Sequence, residues 1–320
     1  IFFTRIKAVS ETGGFEKPHA RLVDRALVPT SPFKPNKKMS VMLAFVLCIM
    51  LCCGVAILLD MLDNTIKTPD DVQEKLHAPL LGSVPVEKVA AHGFISHIWE
   101  NPRSVFAESI RSIRTSLLLS RLDNPARVIV VTSTLPGEGK STVALNLAVA
   151  VGQMEKTLVV GGDLRQPGLA SKCGLSPKHP GLSHYVSGAD TLEHCIEHMD
   201  NMGIDVMPSG LIPPNPLEMI SSRKFAAALE DLRERYDCIV IDSAPMQPVS
   251  DALVLASLAD TVIYVVKADS TPATEVQKGI DAIAANNEPL AGVVLNQFDA
   301  KKLGKAMSQY SHYYTAEEPT

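Results

Sequence analysis

Residues 127–153 constrain the fold more than any other stretch: RVIVV leads into STLPGEGKST (133–142) and then into VALNLAVAVGQ. A β-branched apolar run, a glycine loop and a helical pattern, in that order, make the local plan of a phosphate-binding turn. Gly137 and Gly139 free the backbone to turn its N–H groups toward an anion. Lys140 brings a positive charge for β- and γ-phosphates, and the helix start adds its dipole. The Ser141 hydroxyl is placed for Mg²⁺. Ser133, Pro136, Gly137, Glu138, Gly139, Lys140, Ser141 and Thr142 are therefore the expected nucleotide-binding positions. Thr134 stands where the pattern GxxxxGK[ST] has its first glycine.

Around this turn, strand-like runs alternate with helical patterns: TLVVG, IDVMP, CIVID, TVIYVV and AGVVL follow RVIVV. Short buried runs of this kind predict an α/β fold, a mostly parallel sheet with helices on both faces. A strand-like LLGSVPV lies earlier, after a short helical pattern.

Residues 39–59 form an uncharged apolar run, preceded by Lys37 and Lys38 and followed by Asp60. At about 1.5 Å per residue such a helix crosses roughly 30 Å of hydrocarbon, so a transmembrane helix is expected there. Flanking Lys and Arg taken alone would place the N-terminal side in the cytoplasm. The nucleotide site requires the opposite, and the chemistry decides the orientation. Pro29, Pro32 and Pro35 recur every third residue before the span and favour an extended approach to the membrane. The chain opens on Ile1, which we read as a segment lacking its natural N-terminus. A net charge of -5 argues against nucleic acid as a partner. The six cysteines show no CxxC pair, and the nine histidines no zinc spacing, so reduced thiols and no histidine-held metal are expected.

A nucleotide site also needs carboxylates opposite the loop. Two strands end on one: LVVGGDLR supplies Asp163, and CIVIDSAP supplies Asp242. Strand carboxyl ends line the ligand crevice of an open α/β sheet. Asp242 is the expected Mg²⁺ partner beside Ser141, and Asp163 a candidate base or metal ligand, with Arg165 placed to pair with it. Lys140, Asp163 and Asp242 form the expected catalytic set.

From residue 28 to residue 314 the chain resembles the bacterial tyrosine kinases (BY-kinases) of the polysaccharide co-polymerase, or chain-length determinant, family. The resemblance is carried by STLPGEGKST as Walker A, GGDLRQP as part of Walker A′, IVIDSAP as Walker B, the proline-rich approach to the membrane helix, and GLIPPNPLE. It implies ATP and Mg²⁺ as cofactors, a P-loop NTPase-like domain behind the membrane helix, and the bacterial inner membrane as location. Residues 1–38 are then periplasmic, 39–59 transmembrane, 60–100 a cytoplasmic linker, 101–300 the kinase domain and 301–320 a flexible tail. Asn296 is the expected neighbour of the adenine. Tyr310, Tyr313 and Tyr314 are the expected phosphoacceptors, delivered in trans to a neighbouring subunit. Glu108, Arg111 and Arg114, at ExxRxxR spacing on one helix face with Phe106, Ile110, Ile113 and Leu117 on the other, resemble the motif that packs kinase domains into a ring. The implied partners are further copies of the chain, the polysaccharide export machinery and a tyrosine phosphatase.

Gly161 stands where the family has the first Walker A′ aspartate. That departure leaves open a weakened kinase, or a nucleotide-binding scaffold that sets polymer length without catalysis. A membrane ATPase of the MinD/ParA type shares the turn, but it carries a lysine where this chain has Leu135.

Overall fold

The computed structural model describes residues 36–86, 102–120 and 126–299, together with Lys34 and Ile98. The chain divides after Leu62 into two units. The first contributes helix α1 (Lys37–Leu62), 26 residues and roughly 39 Å long. Its side chains are exposed from 37 to 60, as suits a helix long and apolar enough to cross a membrane.

In the second unit the β-branched runs become strands because each is buried on both faces. The strands are β1 (Leu80–Pro85), β2 (Val128–Ser133), β3 (Thr157–Gly161), β4 (Glu197–Met199), β5 (Ile204–Met207), β6 (Cys238–Asp242), β7 (Thr261–Lys267) and β8 (Leu290–Phe298). They form one sheet in the order β1-β8-β7-β2-β6-β3-β5-β4, parallel except where β4 meets β5. The central strand β2 pairs with β6 on one side and β7 on the other. All six predicted strand runs after residue 126 are present; β4, an edge strand of Glu197, His198 and the half-buried Met199, is too short to show an apolar alternation.

Alternate residues of each strand feed opposite cores. Val128 and Val130 face one side, with Phe225, Leu229 and Leu232 of α9 (Arg223–Arg235) and Val276, Ile280 and Ile283 of α11 (Ala273–Ala285). Ile129 and Val131 face the other, with α3 (Val105–Leu119) and α4 (Lys140–Gly152). Phe106, Ile110, Ile113 and Leu117 of α3 are buried as their spacing predicts. Shorter helices fill the connections: α5 (Leu169–Lys172), α6 (Leu182–Ser187), α7 (Leu192–Cys195), α8 (Pro216–Ile220) and α10 (Asp251–Ala256).

Part of the region expected to be linker belongs to this unit. Helix α2 (Pro69–Leu76) begins at a capping box built by Thr68 and Asp71 and buries Val72 and Leu76. Strand β1 pairs with β8 and gives the sheet its edge. Residues 64–86 are thus structural parts of the domain, because Ile66, Leu81 and Val84 find apolar partners there.

Candidate nucleotide-binding site

Strand β2 delivers the chain into the glycine loop at the carboxyl end of the sheet, and α4 starts on Lys140. Gly137 and Gly139 take φ of 85° and 91°, the left-handed region that glycine enters without Cβ strain. A Cβ at Gly139 would lie 2.0 Å from Asn296 Nδ2, so the close approach also excludes a side chain. Gly139 caps α4 without a side-chain bond, which leaves the first-turn N–H groups to an anion. Thr134, at the first-glycine position, is fully buried, and its Oγ1 lies 3.1 Å from the Tyr264 hydroxyl. It needs no left-handed backbone, which is how the loop dispenses with that glycine.

The structure brings the three expected catalytic residues together. Lys140 Nζ lies 3.2 Å from Asp163 Oδ2 and 3.8 Å from Asp242 Oδ1. Both carboxylates are buried at strand ends, 4% and 2% exposed. Burial pushes the Asp242 carboxyl above its ordinary value; the Lys140 charge and the Ser141 hydroxyl oppose that shift. Asp242 Oδ1 is buried and makes no hydrogen bond within the chain, its charged neighbour being Lys140. Asp163 Oδ1 is fixed by the N–H groups of Gln166 (2.9 Å) and Arg165 (3.2 Å).

Three expectations change. The Arg165 guanidinium turns away from Asp163 and pairs with both oxygens of Asp251, at 2.7 and 2.9 Å. Asp251 is wholly buried in the first turn of α10, and a planar fork satisfies both its oxygens where one ammonium could not. Asn296 does not present its amide to a base: Nδ2 donates to the Glu138 carbonyl (2.7 Å) and supports the loop from behind. Ser133 and Glu138 belong to the loop's frame, Ser133 Oγ donating to the Leu135 carbonyl (2.9 Å) and the Glu138 carboxylate facing inward, 2% exposed. Pro136 is exposed, and Ser141 and Thr142 are half-buried at the helix start.

Gly161 ends β3 opposite Asp242. A Cβ there would meet Ser209 Oγ at 2.6 Å and Ser209 N at 2.7 Å, so the space beside the two acids is closed by the chain leaving β5. On α3, Arg111 pairs with Glu108 (2.8 Å) and donates to Pro102 O (2.5 Å). Arg114 donates instead to Ala150 O (2.7 Å), in the last turn of α4. Tyr310, Tyr313 and Tyr314 lie outside the described residues. Three residues that shape the site, Ser209, Asp251 and Tyr264, carry no motif; only Asp251, following Ser250 at a helix start, left a local signal.

A parallel sheet with the glycine loop at its centre, a lysine facing two strand-end carboxylates and an uncapped helix start define a P-loop NTPase-like domain. An AAA domain family matches residues 126–289. Tyrosine-protein kinase YwqD of Bacillus subtilis is 33% identical over 68% of this chain and 90% of its own length. The succinoglycan biosynthesis transport protein ExoP of Rhizobium meliloti is 28% identical over 99% of this chain and 44% of its own. The crystal structure of the chimerical protein CapA2B2 superposes with a TM-score of 0.68 at 37% identity, covering 72% of this chain and all of that one. The chain belongs to the bacterial tyrosine kinases of the chain-length determinant family. It spans about two-fifths of the length of other curated relatives, 39% and 41% of two of them.

Proposed function

We propose that this chain carries a membrane helix and the cytoplasmic ATP-binding domain of an inner-membrane protein-tyrosine autokinase that regulates polysaccharide polymerisation and export. The observation that carries the reading is Lys140, held between Asp163 and Asp242 at the open start of α4.

Lys140 and the loop N–H groups would neutralise charge on the phosphoryl group being transferred, the main task in a reaction where positioning and electrostatics dominate. Ser141 and Asp242, with Asp163, fit Mg²⁺: hard oxygen donors, few in number, one of them a buried oxygen that makes no hydrogen bond within the chain. Bound there, Mg²⁺ would supply charge neutralisation across the β- and γ-phosphates. Asp163, fixed by two backbone N–H groups, is the group placed to accept the proton of an attacking tyrosine hydroxyl. The expected acceptors are Tyr310, Tyr313 and Tyr314 of a neighbouring copy, with Glu108 and Arg111 on the ring-forming face. The adenine is assigned to a cavity of about 430 Å³ lined by Lys67, Thr68, Lys267, Ala268, Asp269 and Gln297 among others.

The closed space at Gly161 favours one second reading, a nucleotide-binding scaffold that turns over slowly or not at all. One assay separates the two: the purified chain, labelled ATP with Mg²⁺, and phosphotyrosine detection, with Lys140→Met and a deletion of residues 301–320 as controls. Label lost in both controls supports the kinase; magnesium-dependent binding without label supports the scaffold. Absence of nucleotide binding overturns both.

A further inference from the structure

The loop between β7 and α11 is held from two sides. On one side it seats the chain that enters the domain after residue 63. Asp269 N–H donates to Ile66 O (2.9 Å), Ala273 N–H donates to Asn64 O (2.8 Å), and Thr65 bridges to Pro272. Ile66 is fully buried, which fixes this seat. On the other side Thr271, 1% exposed, donates its hydroxyl to Glu138 Oε1 at 2.5 Å. Lys267 N–H reaches the same oxygen at 3.4 Å, and Leu135 N–H donates to Glu138 Oε2 at 2.6 Å.

Glu138 sits between Gly137 and Gly139, the two residues whose left-handed backbones shape the phosphate loop. Its carboxylate is the one negative side chain of STLPGEGKST. Turned outward, it would stand among the groups meant to receive phosphate and repel the phosphate itself. Turned inward, it needs donors, because a buried carboxylate without them is costly. Three donors meet it: two are backbone N–H groups, fixed by the fold, and the third is the Thr271 hydroxyl.

We propose that Thr271 is a positioning residue for phosphate binding, acting through Glu138. Its hydroxyl holds the carboxylate inward, which keeps the backbone from Leu135 to Gly139 in its anion-accepting form and the negative charge away from the ligand. The inference rests on the nucleotide-site reading above.

The test is Mg-ADP binding by calorimetry on the full chain in detergent, with each variant first shown to melt in a single transition. Thr271→Val keeps the shape and removes the donor; it is expected to weaken binding about 5- to 10-fold, the scale of one ordinary net hydrogen bond. Thr271→Ser keeps the hydroxyl and is expected to stay within about twofold of the unaltered chain. In a Glu138→Ala background, Thr271→Val is expected to add nothing, since the group it acts through is gone. The proposal is overturned if Thr271→Val binds within twofold of the unaltered chain, if Thr271→Ser is as weak as Thr271→Val, or if the valine effect persists undiminished in the Glu138→Ala background. No binding by the unaltered chain would overturn the nucleotide reading itself, and this inference with it.

Discussion

Gly161 ends β3 opposite Asp242, and the packing around it gives a measurable consequence. A Cβ there falls 2.6 Å from Ser209 Oγ, 2.7 Å from Ser209 N and 3.2 Å from Pro208 C. Two of the three obstacles are backbone, at the end of a strand that pairs with β3 through Val160 and Met207. Relief therefore needs a shift between paired strands, not a rotamer change. Overpacking of this kind costs about 1–3 kcal/mol. In a domain of this size each kcal/mol lowers the melting temperature by about 2–4 °C, so Gly161→Ala should melt about 4–8 °C lower at the middle of that range. Gly161→Asp should fall further, because it adds a like charge beside Asp163 and Asp242, and Mg²⁺ should return part of the loss. Adding Ser209→Ala to Gly161→Ala should restore only the share due to the hydroxyl. Scanning calorimetry of the chain without nucleotide reads all four proteins. A Gly161→Ala protein melting within about 1 °C of the unaltered chain would refute the packing argument and leave the glycine as a purely chemical change.

Asp242→Asn should raise the melting temperature of the nucleotide-free chain at neutral pH and abolish magnesium-dependent nucleotide uptake. The sign follows from burial, which raises the Asp242 pKa in the folded state: stability linked to this group is greatest below the ordinary carboxylate range and is lost as pH rises through the folded value. The advantage of the asparagine should therefore shrink toward about pH 4 in a pH series of melting curves. For the same reason, magnesium-dependent uptake should weaken on acidification at a higher pH than an exposed aspartate would give. Arg114→Met should lower the melting temperature of dilute monomer by about 2–6 °C, since Ala150 O loses its donor. Glu108→Ala, at a half-exposed ion pair, should leave it within about 1–2 °C while shifting the oligomeric state seen by light scattering.

Much of the fold was legible because its signals are local. Valine and isoleucine runs such as CIVID and TVIYVV can be buried on both faces only inside a sheet covered by helices, and the runs of 128–133 and 140–152 already placed the phosphate loop between strand and helix. Lys140, Asp163 and Asp242 were legible as strand ends and a helix start, which parallel topology gathers at one edge. β4 was not, because three edge residues of which only Met199 is apolar are too short a run to show a pattern. Nor was the role of residues 64–86: an edge strand and one short helix look like a linker until Ile66 and Leu81 find partners far along the chain.

Side-chain direction was decided only by tertiary contact. Whether Arg165 pairs with Asp163 or Asp251 depends on α10 bringing a buried carboxylate 86 residues away into reach of a planar fork. Whether Asn296 and Glu138 face a ligand or the loop depends on β8 and the 268–272 loop closing behind Gly139. The sequence by itself determined which residues carry charge and where the backbone can turn left-handed. Only the folded chain decided which of those charges are left facing the phosphate site and which are spent on holding it in shape, because a buried polar group must find its partner wherever packing leaves one.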